Sequence, residues 1–160
     1  MDCPLCRGAE ADPALDRVQV WEDDLWRLTL SLSAEVYGFS YLEPKRHITD
    51  ITTLDGLEAA TLGPVLSRVT RILREETRAE WVYIYVFGDS IAHLHLHLAP
   101  HQTNDALNDQ MIRGELTVQK MENGAERVIS KTFPSLPEAE HRRVADRVQS
   151  RLVQSATEEG

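Results

Sequence analysis

The stretch from His93 to Pro100 alternates histidine with leucine, and this alternation constrains the fold more than any other feature of the chain. Side chains of a β-strand point to opposite faces with a period of two, so the pattern predicts a strand with its histidines on one face. The leucines would then face a core. Same-face neighbours lie roughly 6.5–7 Å apart, which suits imidazoles lined up beside one extended ligand. Pro100 has no backbone N–H and is expected to end the strand.

The three histidines, His93, His95 and His97, leave several interpretations open. They could be structural imidazoles, but burying three such rings on one face would require three sets of hydrogen-bond partners. They could form a metal site on the strand alone, because histidine is the commonest metal ligand. They could also form a reaction site beside the extended ligand.

Length and charge limit the class of protein. The chain has 160 residues and a formal net charge of −9. This length suits one domain, over residues 1–160, with a substantial core. An acidic chain binds nucleic acid polymers and anionic membranes poorly, so any phosphate site must be local. The sequence has no apolar run of about 18 residues and no signal peptide after Met1, which predicts a cytoplasmic protein without a membrane partner.

The other hydrophobic patterns predict an α+β fold. Alternating residues on both sides of Glu22-Asp23-Asp24 are typical of a hairpin. A stripe of apolar residues with helical spacing predicts one long helix, which Gly63-Pro64 would kink or split. Asn123-Gly124 predicts a C-terminal hairpin, and a terminal helix follows it. The predicted strands are 18–21, 26–30, 39–42, 81–87 and 93–98, and the long helix is 54–77.

Two of these strands should be antiparallel neighbours. The run 81–87 is apolar and strongly β-prone, which predicts a central strand. Gly88-Asp89-Ser90 then forms a tight turn into the histidine strand.

Cys3 and Cys6 are the only cysteines and form a C-x-x-C pair. In a reducing compartment such a pair is more often a metal or redox site than a structural disulfide. A thioredoxin-like motif needs a preceding strand, which the residues ahead of Cys3 do not supply. Half of a tetrahedral zinc site fits better, with two histidines from elsewhere as the other ligands.

These motifs together resemble the histidine triad superfamily. Its signature alternates three histidines with apolar residues and ends on two apolar residues, which 93–99 matches in full. Members also carry an apolar strand ending in Pro-Lys-x-His, as in Pro44-Lys45-Arg46-His47, and many bacterial members begin with C-P-x-C. The resemblance covers residues 3–101. It implies an antiparallel β-meander with a long helix packed across it, usually in a homodimer. Residues 102–160 lie outside the resemblance, and their own pattern predicts an extension with the hairpin and the terminal helix.

The resemblance also implies a reaction, namely hydrolysis or nucleotidyl transfer at the α-phosphorus of a nucleotide-like substrate. Phosphoramidates, dinucleoside polyphosphates and sugar nucleotides are the substrate classes. His95 would attack and become nucleotidylated, while His97 holds a phosphate oxygen or the leaving group and Ser90 assists. Imidazole titrates near pH ~6.5, so a neutral nitrogen nucleophile is available at physiological pH. A covalent intermediate splits one difficult displacement into two easier ones.

Zinc-bearing relatives bind their metal through two cysteines, an upstream histidine and the first histidine of the triad. By resemblance the ligands here are Cys3, Cys6, His47 and His93. A tetrahedral site with four protein ligands has no open position, so the implied cofactor is one structural zinc per chain.

Several positions depart from the family pattern. Ser31 stands where members have a ribose-binding Asp, and Asp89 stands where they have Gln. His101 could replace a lost phosphate contact or lie on the surface. Lys45 completes the candidate substrate-binding residues, although with Arg46 it could equally be a solvated surface pair. These departures keep open an alternative function, a zinc-stabilised protein that binds a nucleotide or other ligand with little turnover.

Overall fold

The computed structural model describes residues 3–87, 90–107, 115–120, 122, 124, 126–131 and 134–158. Five strands form the main sheet in the order β1-β2-β3-β5-β4, and every neighbouring pair is antiparallel. The strands are β1 (Arg17–Glu22), β2 (Trp26–Ser31), β3 (Ser40–Pro44), β4 (Trp81–Val86), β5 (Leu96–His101), β6 (Glu115–Lys120) and β7 (Glu126–Lys131). The helices are α1 (Gly56–Thr77) and α2 (Glu138–Glu158), with short 3-10 segments at Leu5–Ala11, Pro13–Leu15 and Ile51–Thr53. This architecture confirms the predicted α+β fold with a long helix packed across an antiparallel sheet.

The first hairpin forms where the sequence predicts it. Asp23 organises the turn, because its Oδ1 accepts hydrogen bonds from the backbone N–H groups of Leu25 at 2.8 Å and Trp26 at 2.6 Å. Aspartate favours turns because its short side chain satisfies nearby backbone donors. The hairpin leads into β2, which is buried along its whole length and ends at Ser31.

Helix α1 begins at Gly56, two residues later than predicted. Residues Ile51–Thr53 form a separate 3-10 turn, which the side chain of Asp50 caps. The helix is not split at Pro64 and continues as a single element. Its later turns are fixed against the sheet by three buried side chains, Val69, Ile72 and Leu73.

The main core lies between the sheet and the two helices. Leu94, Leu96 and Leu98 point into it, as the alternation predicts, and each is at most 3 % exposed. Helix α2 contributes four buried residues to the same core: Val144, Ala145, Val148 and Leu152. Burying an aliphatic side chain contributes about 1.5–3 kcal/mol, so α2 is part of the stabilising core of the domain.

Strand β4 lies at the edge of the main sheet, so the predicted central position is wrong. Its neighbour on one side is β5, and Trp81, Ile84 and Val86 are 55 %, 46 % and 41 % exposed. A continuous apolar run indicates a strand that can be buried on both faces, but it does not show which strands will be its neighbours in the sheet. The histidine strand β5 is the interior strand next to β4 and pairs with both β3 and β4.

The histidine stretch enters the sheet later and leaves it later than predicted. Strand β5 starts at Leu96, because the preceding backbone pairs with the loop after β3: the Leu94 N–H donates to the carbonyl of Ile48 at 2.7 Å. The strand also runs through Pro100 to His101 instead of ending there. Pairing with β3 stops at Leu98, so Pro100 has a strand partner on one side only, which is the setting in which sheets tolerate proline.

The predicted C-terminal hairpin is confirmed as a separate two-stranded sheet of β6 and β7. Gly124 lies in its turn with a φ of +81°, in the left-handed region that glycine adopts without strain. Asn123 and the turn residues Gly88 and Asp89 lie outside the described residues. Among the helices that the structure describes, none has the length and apolar character needed to cross a membrane.

Candidate active site and metal centre

Two cysteines and two histidines meet where β3 ends and β5 begins. The Nδ1 atom of His93 lies 3.3 Å from the Sγ of Cys3 and 3.4 Å from the Sγ of Cys6, while the Nδ1 of His47 lies 3.2 Å from the Sγ of Cys6. All four potential ligand atoms lie within 4.8 Å of one another. The structure thus brings together the four residues that the sequence predicts as metal ligands.

The donor set fits zinc. Zn–S bonds of about 2.3 Å and Zn–N bonds of about 2.0–2.1 Å place tetrahedral ligand atoms roughly 3.3–3.8 Å apart, close to the three sulfur–nitrogen distances given above. The Nε2 of His93 lies 2.8 Å from the carbonyl oxygen of Pro44. Because a carbonyl only accepts, Nε2 must donate, which leaves the Nδ1 lone pair directed at the cluster.

The cluster is assembled from three separate segments. The cysteines belong to the N-terminal segment, which is anchored by the buried Leu5, whereas His47 follows β3 and His93 precedes β5. Arg46 fixes the loop that carries His47, because its guanidinium contacts Glu58 at 3.0 Å at the start of α1. Sequence reasoning missed the contribution of Pro44, since a backbone carbonyl leaves no signature in side-chain chemistry.

His95 is oriented by the backbone of the same stretch. Its Nδ1 lies 2.6 Å from the carbonyl oxygen of His93, so Nδ1 donates a hydrogen bond and the neutral ring carries its lone pair on Nε2. The His95 and His97 ring centroids are 5.0 Å apart. The middle histidine is therefore fixed in one tautomer beside the third.

His97 lies in an aromatic environment on the sheet face opposite the helices. Its ring meets Phe39, Tyr41 and Phe87 edge-on at centroid distances of 6.0, 5.1 and 5.3 Å. Burial, with a smaller effect from His95, lowers the pKa of His97 to about 4, so the ring is neutral at pH 7. Within the described residues its Nε2 atom is buried without a hydrogen-bond partner.

A sequence model of the HIT domain matches residues 13–104, more than half of the 160 residues and a span that includes the complete triad. The chain belongs to the histidine triad (HIT) family. No curated protein matches it.

Solved HIT structures share the fold over most of the chain. A Zn-bound histidine triad family protein from Mycobacterium smegmatis is 20 % identical, with a TM-score of 0.65 over 97 % of this chain and 98 % of that one. A histidine triad protein from Bradyrhizobium japonicum is 21 % identical, with a TM-score of 0.66 over 86 % and 92 %. A HIT protein from Sinorhizobium meliloti is 23 % identical, with a TM-score of 0.65 over 86 % and 90 %. At these identities the likeness shows the fold alone.

Two further predicted site residues differ in accessibility. Ser31 ends β2 at 5 % exposure, and its hydroxyl accepts a hydrogen bond from the backbone N–H of Ser33 at 3.3 Å. Ser90 is exposed, in the segment between β4 and β5. Asp89, which stands at the family's glutamine position, lies outside the described residues. The hydroxyl of Ser31 is thus engaged within the protein, and the roles of all three residues remain predictions.

Lys45 contacts the first hairpin. Its Nζ lies 3.3 Å from a carboxylate oxygen of Glu22 and 3.1 Å from the carbonyl oxygen of Asp23. Both partners of the ion pair are well exposed. This geometry agrees with the surface-pair alternative, and a contact from Lys45 to substrate remains a prediction.

His101 is 7 % exposed, so the alternative of a surface position is wrong. Its Nδ1 donates to the Oδ1 of Asp105 at 2.8 Å, and its ring stacks on Tyr83 with centroids 4.9 Å apart. It shares a strand face with His97, two positions on from Ala99. The sequence hides this environment because Asp105 belongs to a loop with no periodic pattern.

Four buried charged residues form a ring of ion pairs over β1, β2 and β3. Arg17 donates to Asp12 at 2.9 Å and to both carboxylate oxygens of Glu43 at 2.9 and 3.1 Å, and Arg27 bridges the same two acids. All four residues are at most 6 % exposed. The two positive and two negative charges cancel, and Asp12 joins the N-terminal segment to Arg17 of β1 and Arg27 of β2. This HIT chain therefore secures the segment that carries its cysteines at a second point.

Proposed function

We propose that this chain is a HIT-type hydrolase or nucleotidyltransferase that acts at the α-phosphorus of a nucleotide-like substrate through His95. The observation that carries the proposal is the 2.6 Å contact from His95 Nδ1 to the carbonyl of His93. It leaves a lone pair on Nε2, which is what a nitrogen nucleophile requires. The substrate classes remain phosphoramidates, dinucleoside polyphosphates and sugar nucleotides.

The proposed reaction has two displacements. Nε2 of His95 attacks the α-phosphorus, a P–N bond forms, and the bond to the leaving group breaks with its electron pair on that group. A water molecule, or the hydroxyl of an acceptor, then attacks phosphorus and returns the electron pair of the P–N bond to Nε2. During the first step, the Nδ1–H bond to the backbone stabilises the positive charge that develops on the ring.

His97 has the properties of a group that supports both displacements. Its ring is neutral, and its Nε2 is the buried atom without a partner in the described part of the site. We propose that it contacts a phosphate oxygen or the leaving group, with Ser90 assisting. Phosphoryl transfer depends mainly on positioning and charge stabilisation, and the fixed strand geometry supplies the first of these. We propose four further residues as candidate substrate contacts: Lys45, Ser31, Asp89 and His101.

We further propose that Cys3, Cys6, His47 and His93 bind one structural zinc ion per chain. With four protein ligands the ion would have no open position, so it would stabilise the fold and take no part in the reaction. Its binding would fix His93, whose carbonyl oxygen orients His95. Cys3 and Cys6 form no disulfide, so both sulfurs are available as zinc ligands, and we propose a location in a reducing compartment such as the cytoplasm.

We propose a homodimer as the working assembly. The exposed apolar side chains of β4 lie on an edge strand, and such an edge offers unpaired backbone groups to another strand. A second copy of the chain would cover both features.

Covalent labelling tests the reaction. The wild-type protein, incubated with a nucleoside phosphoramidate labelled at phosphorus, is expected to carry an acid-labile adduct on His95. His95→Ala should lose the label and several orders of magnitude in turnover while keeping its zinc content. His97→Ala should turn over slowly yet still take the label, whereas His93→Ala should lose zinc and stability. Near-normal turnover by His95→Ala would contradict the proposal and favour a catalytic metal centre.

A ligand-binding protein with little turnover is the second candidate. The observation that favours it is the buried hydroxyl of Ser31, which is bonded to the backbone of Ser33 at the position where the family carries a ribose-binding carboxylate. In that case nucleotides would bind to the wild-type protein without forming the His95 adduct.

A further inference from the structure

A row of side chains crosses the sheet beside the triad. Register places Tyr41 of β3 and Tyr85 of β4 directly opposite His97, on its two sides. Side chains opposite one another in an antiparallel sheet have Cβ atoms about 4.5–5.5 Å apart. Tyr85 is therefore an immediate neighbour of the third histidine of the triad, although nothing in the motif includes it.

Tyr85 and His97 share an unusual feature. The phenol oxygen of Tyr85 and the Nε2 of His97 are both buried, and neither has a hydrogen-bond partner within the described part of the chain. Buried polar groups are nearly always paired, because an unpaired one loses its hydration without compensation. Two such atoms on adjacent side chains indicate that a bound molecule supplies a hydrogen-bond partner to each of them.

The ring of Tyr85 is held in place by its neighbours. It stacks on Phe87 with centroids 5.9 Å apart and an interplanar angle of 13°, and Phe87 in turn meets His97 edge-on. On the other side its centroid lies 6.2 Å from that of Tyr83. A phenol packed between two rings has little rotational freedom, so its hydroxyl is positioned before a ligand arrives.

Charge indicates which part of a ligand the hydroxyl would meet. Burial raises the pKa of Tyr85, and Tyr83 and Asp105 add to the rise, so the phenol stays protonated and can donate a hydrogen bond. Asp105 is bonded to His101, whose ring stacks on Tyr83, the neighbour of Tyr85, so a carboxylate lies at the end of β5 away from His95. A phosphate group would be repelled there, whereas a neutral group with an acceptor atom would not.

We propose that Tyr85 is a substrate-binding residue whose hydroxyl donates a hydrogen bond to the neutral, nucleoside part of the substrate. This inference rests on the proposed function and adds a residue that fixes the substrate alongside the triad. Tyr85 takes no part in bond making or breaking.

The test compares two single-oxygen deletions. Tyr85→Phe removes the hydroxyl beside His97. Thr29→Val is the matched control, because the Thr29 hydroxyl is also buried without a partner in the described residues but lies across Tyr41 from His97. Calorimetric titration of each protein with AMP, ribose 5-phosphate and inorganic phosphate measures the effect, and thermal unfolding of each is recorded in parallel.

Tyr85→Phe is expected to raise the Kd for AMP by about 3- to 10-fold, the usual effect of one uncharged hydrogen bond, without lowering Tm. Its affinity for inorganic phosphate should not change, and Thr29→Val should bind all three probes as the wild type does. A weakened affinity for ribose 5-phosphate assigns the contact to the sugar, and an effect on AMP alone assigns it to the base.

Two results would overturn the inference while leaving the proposed function intact. One is equal AMP affinity for wild type and Tyr85→Phe, with or without a lower Tm, which would assign the hydroxyl a structural role. The other is weakened binding of inorganic phosphate. If the wild-type protein binds neither AMP nor any other nucleotide, the proposed function itself fails.

Discussion

Among the residues of the buried charge ring, Glu43 is the one whose substitution should reduce the free energy of unfolding most. Its carboxylate accepts three hydrogen bonds, two from Arg17 and one from Arg27, at 1 % exposure. Glu43→Gln keeps the side-chain volume, so no cavity forms, but two buried guanidinium groups then share the single carboxylate of Asp12. Removing one partner of a buried ion pair costs about 3–5 kcal/mol, because a charge is left buried without compensation.

Urea unfolding at fixed zinc concentration measures this cost. The midpoint should fall with an unchanged slope, and Tm should fall by about 6–20 °C, since each 1 kcal/mol shifts Tm by roughly 2–4 °C in a chain of this size. Glu138→Gln is the control, because its ion pair with Arg142 is exposed and should be worth less than about 1 kcal/mol. Adding Arg27→Met to Glu43→Gln restores neutrality and should recover part of the loss. A cost below about 1 kcal/mol for Glu43→Gln would refute the argument that the ring is desolvated.

Three further outcomes are expected. Cys3→Ser should lose its zinc, measured by metal analysis, and melt at a lower temperature, because structural metal binding contributes folding free energy; a metal-free variant with wild-type Tm would contradict this. As the pH is lowered from 7 to 5, His97 should reduce the free energy of unfolding by roughly 1–2 kcal/mol. The pKa of His97 in the folded protein is about 4, below the value in the unfolded chain, so the unfolded state binds the proton first. His97→Gln should reduce this pH dependence of the unfolding free energy, measured by urea titrations at the two pH values. An unchanged pH dependence would argue against a buried neutral ring. Sedimentation should give a dimer for the wild type and a monomer for Ile84→Lys, and a monomeric wild type would count against the assembly.

The period of hydrophobic residues predicted most of the fold. Alternation at 93–98 identified the leucines that enter the core, because side-chain direction on a strand depends only on parity. The same signal could not give sheet order, so the apolar run at 81–87 was predicted to be central although it is an edge. Nor could it show that Pro100 lies where β5 has lost one partner, since that depends on how far β3 extends.

The candidate site was also only partly predictable from the sequence. The four metal ligands follow from the resemblance of Cys3, Cys6, His47 and His93 to a known motif, and the structure brings them together. The charge ring has no such signature, because its members are spread over three strands and a loop, and each charge alone predicts a solvated surface position. Tyr85 was equally hidden, since a tyrosine in an apolar strand is first of all a β-former.

The packing of helix α2 limits how far the chain can be shortened for expression. The matched HIT span ends at residue 104, and yet Val148 and Leu152 of α2, both fully buried, pack on the leucines of that span. The same span starts at residue 13, after both cysteines and after the Asp12 of the charge ring. A fragment trimmed to 13–104 would therefore expose the inner surface of the sheet to water and leave two arginines without one of their acids. We therefore predict that the unit able to fold alone is longer than the span recognised by sequence, and that expression fragments should extend at least from Cys3 through Leu152.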